Sequence, residues 1–159
     1  MLDEVELPNG RRTTLEVVRH PGAAAIVALD DSGCVVLLHQ FRHAAGGYIW
    51  EIPAGTLAEG EAPAACARRE LREETGLDAS RWNDLGRILT TPGFCDERIH
   101  LFLARDLSTA TAQLDDDEIL TVSRVPLAHA LAMIISGEIE DAKSIAALHR
   151  ASALLNSER

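Results

Sequence analysis

The chain has 159 residues, 47% hydrophobic and 25% charged, and its 25 acidic against 15 basic residues give a formal net charge of −10. That length suits one compact domain over residues 1–159 with enough apolar material for a core, and the aliphatic content excludes intrinsic disorder. The acidic balance excludes a nucleic-acid backbone as the main partner, which would need a basic stripe to displace counterions, and it fits a protein that collects divalent cations.

Val5-Glu6-Leu7, Pro8-Asn9-Gly10 and Thr13 to Arg19 read as strand, turn and strand, with Asn-Gly favouring a tight hairpin. His20-Pro21-Gly22 breaks the pattern. Ala23 to Leu29 has the length of a buried strand, and after the turn Asp30-Asp31-Ser32-Gly33 a further strand runs from Cys34 to His39. Ala23 to Phe41 therefore reads as a second hairpin, in a central sheet. Tyr48 to Ile52 makes a short strand. Ala62 to Thr75 reads as a helix, because Pro63 is tolerated in a first turn and Gly76 supplies the left-handed residue that ends many helices. Strands follow at Asp84 to Thr90, Arg98 to Ala104 and Ile119 to Val125. An acidic run, Asp115-Asp116-Asp117-Glu118, precedes the last of these. Leu127 to Ser136 and Lys143 to Leu155 read as amphipathic helices. Without strict β-α-β alternation the pattern is α+β, or a helix–sheet–helix sandwich.

No apolar run approaches the ~20 residues of a membrane span. The first six residues are acidic where a signal peptide would be basic and then apolar, so a cytoplasmic protein without a membrane partner is predicted. Cys34, Cys66 and Cys95 are odd in number and widely spaced, which fits neither a disulfide framework nor a zinc site. Lys143 is the only lysine, a poor basis for a lysine nucleophile.

The most informative stretch is Gly55 to Leu77. On a helix, Glu70, Glu73 and Glu74 lie three and four apart, so their carboxylates share one side. They fall in the last turns, where the macrodipole prefers cations, and like charges at this spacing repel. A hard divalent cation offsets that cost, and an oxygen-only donor set suits Mg²⁺ or Mn²⁺ rather than zinc. Arg69 lies four before Glu73 and can pair with it, leaving Glu70 and Glu74 as first-choice ligands. The competing reading is a solvated, charged helix face.

Gly55, Glu61, Arg69, Glu70, Leu71, Glu73, Glu74, Gly76 and Leu77 together resemble the Nudix box: Gly, five residues, Glu, seven residues, Arg-Glu, an aliphatic, any residue, Glu-Glu, any residue, Gly, an aliphatic. The flanks resemble the ADP-ribose pyrophosphatase branch of that superfamily: His20-Pro21-Gly22-Ala23, His39-Gln40-Phe41-Arg42, Glu51-Ile52-Pro53-Ala54-Gly55, Thr91-Pro92-Gly93-Phe94, Asp96-Glu97 and Asp141-Ala142-Lys143-Ser144. The resemblance implies a Nudix-type α/β/α sandwich with a mixed central sheet and an N-terminal β-hairpin. It also implies hydrolysis of a nucleoside diphosphate linked to another group, and two or three Mg²⁺ or Mn²⁺ ions per site.

Carried over by residue, it places metal on Glu70 and Glu74, with Glu73 as a further ligand, the backbone carbonyl of Ala54, and Glu118 from the acidic run. Asp116 aligns with the general base, and Glu118 can take that role, since Asp is shorter than the Glu usual there. Arg42 resembles an arginine that contacts the diphosphate, or is a surface arginine. Glu51 sits between Trp50 and Ile52, a poor place for a charge unless it meets substrate or forms an ion pair. Trp50 and Tyr48 can stack on a base, or pack in the core or a dimer. Phe94 and Glu97 lie where a lid over the terminal sugar is expected.

The reaction so implied is the Mg²⁺- or Mn²⁺-dependent cleavage of ADP-ribose to AMP and ribose 5-phosphate. The alternatives are another nucleoside diphosphate sugar, such as GDP-mannose, and a non-catalytic ADP-ribose sensor. Residues 1–20 are expected to form the hairpin of a homodimer.

Overall fold

The computed structural model describes residues 1–111 and 119–158, so the acidic run with Asp116 and Glu118 lies outside the described residues. In chain order the elements are β1 (Leu2–Glu6), β2 (Arg12–Glu16), β3 (Ala23–Ala28), β4 (Cys34–Arg42), β5 (Gly47–Glu51), β6 (Ala54–Thr56), α1 (Pro63–Thr75), β7 (Leu77–Leu89), β8 (Arg98–Thr109), β9 (Leu120–Pro126), α2 (Leu127–Ser136) and α3 (Ala142–Ser157). A four-stranded sheet runs β6-β3-β8-β7 and a three-stranded sheet runs β5-β4-β9, while β1 and β2 pair only with each other.

The four-stranded sheet is mixed, with β3 parallel to β8 and antiparallel to β6. All six residues of β3 are buried. Ala23, Ala25 and Val27 pack in one cluster with Ala130 and Met133 of α2 and Ala147, Leu148 and Ala151 of α3. Ala24, Ile26 and Ala28 face the other way, against Cys66, Ala67 and Leu71 of α1. Period-two alternation on a strand covered on both sides is what places one helix on one face and two on the other. The result is the expected α+β sandwich with a mixed sheet and a hairpin at the front.

Three expectations are corrected. β3 and β4 do not form a hairpin: apart from the single Leu29–Val35 bridge they belong to different sheets, β4 pairing with β5 and β9. The apolar β3 has β6 and β8 on its two edges, so the Asp30–Gly33 turn carries the chain across to the other sheet. β7 and β8 run far beyond the predicted strands because they pair with each other along almost their whole length, around a bulge between Asp84 and Arg87. β6, three residues long, has too little pattern of its own to be seen in the sequence. At the front, Glu6 pairs with Arg12 across a five-residue connection, longer than a two-residue turn, in which Gly10 takes φ 79°. Among the described residues no helix is long and apolar enough to cross a membrane.

Candidate active site

Helix α1 starts with Pro63 at its first position and ends on Gly76 at φ 65°, which turns the chain into β7. This fixes the three glutamates in the last two turns. Glu70 and Glu74 are buried, at 8% and 2% exposure, on the side that faces β6. The backbone N–H of Ala54 donates to Oε2 of Glu74 at 2.9 Å. The carboxylate of Glu70 lies so close to Gly55 that a Cβ built there would stand 1.9 Å from it, which explains the glycine by close approach rather than by backbone conformation.

Arg69 gathers the remaining charge. Its Nε and Nη2 donate to the two oxygens of Glu61, each at 3.0 Å, and its Nη1 donates to Glu70 at 2.6 Å and Glu73 at 2.8 Å. A further bond reaches the carbonyl of Thr56. The expected Arg69–Glu73 pair is thus one part of a larger cluster. The bond from Arg69, with the Ala58 N–H behind it, holds the Glu61 carboxyl down at about 2. In return Glu61, ahead of Glu73 and Glu70, raises the Arg69 guanidinium above its ordinary value. Burial, with Glu70 and Glu61 nearby, pushes the Cys66 thiol up to about 12, so it is no nucleophile.

A cleft of about 470 Å³ opens on the other side of the Ala54–Thr56 backbone, lined also by Arg42, Glu51, Thr90, Thr91, Glu97, Asp141 and Lys143. Glu51, 4% exposed at the end of β5, accepts from Nε of Arg42 at 2.8 Å and from Nζ of Lys143 at 2.6 Å. Lys143 also lies 3.1 Å from Asp141. Asp141 caps α3 by accepting the Ser144 N–H, and the buried Ser144 hydroxyl accepts the N–H of Ile52 at 2.9 Å.

The structure therefore brings Arg42, Glu51, Ala54 and Glu97 to one cleft, with Glu70 and Glu74 packed against the strand that forms its wall. It leaves Phe94, Trp50 and Tyr48 outside the cleft lining. Phe94 is 56% exposed and lies with Met1, Leu2, Val17 and Val18 in a groove beside the hairpin. Trp50 is half-buried, stacked on His39 with centroids 4.6 Å apart and packed against the core, while Tyr48 stands exposed beside it. Sequence reasoning quoted Asp141 and Lys143 only within a flank match and gave neither a role in the site. The available signal was a sole lysine in the first turn of a helix, where the dipole opposes a cation.

The family model for the NUDIX domain matches residues 18–148. The chain belongs to the Nudix family. It is 44% identical to the ADP-ribose pyrophosphatase of Bacillus subtilis over 92% of this chain and 80% of that one. To the ADP-ribose pyrophosphatase of Mycobacterium tuberculosis it is 43% identical, over 91% and 71%. A GDP-mannose pyrophosphatase of Citrobacter koseri is 34% identical over 84% and 78%. Its fold matches the crystal structure of an ADP compounds hydrolase with a TM-score of 0.85, covering 99% of this chain and 85% of that one, at 23% identity. The protein is a Nudix pyrophosphohydrolase.

Nudix hydrolases work with a divalent metal, and the residues here suit one. Glu70 and Glu74 offer carboxylate oxygens from a helix end that is otherwise poor for anions, and Gly55 lets the Ala54–Gly55 backbone approach them closely. Among the described residues no three Asp, Glu, His or Cys side chains form a metal site by themselves. Two carboxylates and backbone oxygen are what these elements provide.

Proposed function

We propose that this Nudix protein hydrolyses the diphosphate bond of ADP-ribose to AMP and ribose 5-phosphate, with Mg²⁺ or Mn²⁺. The observation that carries the reading is the pairing of an acidic helix end with a cation-bearing cleft wall, across one backbone segment, Ala54–Thr56. Glu70, Glu74 and the Ala54 carbonyl hold the metal, with Glu73 as a further ligand once it leaves Arg69. Bound there, the ion neutralises phosphate charge and lowers the pKa of water.

The chain's own residues do the rest. Arg42 donates to the diphosphate oxygens and fixes their orientation. Glu97 accepts from hydroxyls of the terminal sugar. A carboxylate of the acidic run, Asp116 or Glu118, takes the proton of the attacking water as its oxygen bonds one phosphorus and the bridging P–O bond breaks. The hairpin gives the same reading an oligomeric side. Two strands alone are marginal in water, and β1–β2 leaves Leu2 and Leu15 exposed, so we place it against a second copy in a homodimer.

The test is incubation with ADP-ribose and GDP-mannose in ¹⁸O-labelled water, with products identified by mass. AMP and ribose 5-phosphate, one of them carrying the label, are expected. Turnover of GDP-mannose without ADP-ribose moves the protein to the second substrate, which its 34% identity to a GDP-mannose pyrophosphatase favours. Tight ADP-ribose binding without turnover in either metal makes it a sensor.

A further inference from the structure

We propose that Lys143 is a positioning residue that keeps Arg42 available to the substrate diphosphate by holding Glu51 between them. This rests on the reading that Arg42 meets the diphosphate. The chain of contacts is continuous. The Ser144 hydroxyl takes the Ile52 N–H and bonds Asp141, so the first turn of α3 is fixed to the end of β5. From that turn Lys143 reaches Oε1 of Glu51 at 2.6 Å, and among the described residues Oε2 of the same carboxylate takes only Nε of Arg42, at 2.8 Å. The four N–H donors on the terminal guanidinium nitrogens are not used by Glu51.

Stability does not explain the arrangement. A cation in the first turn opposes the helix dipole, and a buried ion pair is weak support compared with apolar packing. What a lysine does here is occupy one oxygen of a buried carboxylate. Without it, Glu51 has an unpaired oxygen beside a guanidinium. Arg42 then satisfies both oxygens in the bidentate manner such pairs favour, turning a terminal nitrogen inward and away from the cleft. Lysine suits the place because one compact ammonium serves both Glu51 and Asp141, which a planar fork does not.

The test measures binding without metal, so that it does not depend on turnover. ADP-ribose and inorganic pyrophosphate are each titrated calorimetrically in EDTA into wild type, K143M, K143Q, R42Q and R42Q/K143M, with Tm recorded for all. K143M is expected to weaken both ligands about tenfold while kcat in Mg²⁺ stays within about threefold, the pattern of lost ground-state binding. K143Q, which still donates to Glu51, falls between the two. In the R42Q background K143M changes affinity less than about twofold, because the residue it acts through is gone. Unchanged affinity in K143M and K143Q at wild-type Tm overturns the proposal, and so does an equal loss in both backgrounds, which would make Lys143 a direct ligand. If wild type binds pyrophosphate with this dependence on Lys143 but neither binds nor cleaves ADP-ribose, the substrate reading fails and the positioning role stands. If wild type binds neither, both fail.

Discussion

The two walls beside the Ala54–Thr56 strand carry opposite imbalances. On the α1 side, Arg69 pairs with Glu61, Glu70 and Glu73, and Glu74 accepts the Ala54 N–H beside them. On the α3 side, Glu51 and Asp141 are served by two cations, Arg42 and Lys143. The first group gathers four carboxylates at a helix end that disfavours anions, while the second pairs two carboxylates with two cations. A metal diphosphate would bring a cation to one wall and an anion to the other. The difference teaches that carboxylates are concentrated on one wall, where a cation would be held, and that carboxylate substitutions there should act on chemistry more than on folding.

The largest effect is expected where the imbalance is greatest. Glu74→Gln keeps an oxygen for the Ala54 N–H but removes a charge, and kcat should fall about a thousandfold with circular dichroism and Tm close to wild type. An unchanged rate in Mg²⁺ would remove the acidic wall from the mechanism. Gly55→Ala comes next. Its methyl meets only the end of a flexible side chain, so the fold accommodates it by displacing the Glu70 carboxylate, and kcat/KM should drop about a hundredfold, the usual effect of misplacing a reacting group by an ångström. A variant as active as wild type would show that Glu70 need not lie against that backbone.

The acidic wall was far more legible in the sequence than the balanced one, for a physical reason. Positions three and four apart on a helix are neighbours whatever surrounds them, so Glu70, Glu73 and Glu74 could be grouped by number alone, and Pro63 and Gly76 marked the ends of their helix. Arg42, Glu51, Asp141 and Lys143 are joined by strand pairing and by a helix docking some ninety residues away in the chain, which no local pattern encodes. The same limit explains the misread β3–β4 hairpin: a turn sequence marks where the chain reverses, not which strand it then joins. Phe94 lies outside the Arg42–Glu51 cleft because Val18 forms a bridge with Cys95, which ties that loop to the hairpin linker.

Removing Arg69 from the acidic wall should widen the contrast. Arg69→Met leaves Glu61, Glu70 and Glu73 without their shared partner, and Tm in EDTA should fall on the order of 5 °C. Millimolar Mg²⁺ should then raise Tm more in the variant than in wild type, since ligand binding to the folded state adds to stability. An equal Mg²⁺ response in both proteins would mean that Mg²⁺ does not take over the carboxylates Arg69 had paired.

The smallest effect concerns Glu61, at the edge of the same cluster. Its carboxyl is held at about 2 in the folded chain, against an ordinary value of 4.5, first by the Arg69 side chain and then by the Ala58 N–H. A depressed carboxyl stabilises the fold above its unfolded pKa and loses that contribution as pH falls through the folded one. Stability from Glu61 is therefore present in full above about 4.5 and declines down to about 2. In Glu61→Gln the amide keeps an oxygen for Arg69 without the titrating charge, so Tm plotted against pH should be flatter over that window and unchanged in slope above it. Because the Arg69 side chain that pairs with it is 36% exposed, salt screens the pair and the difference should shrink further in high salt. Two curves that stay parallel below pH 4.5 would place Glu61 outside the ion cluster, and the acidic wall would then end at Glu70, Glu73 and Glu74.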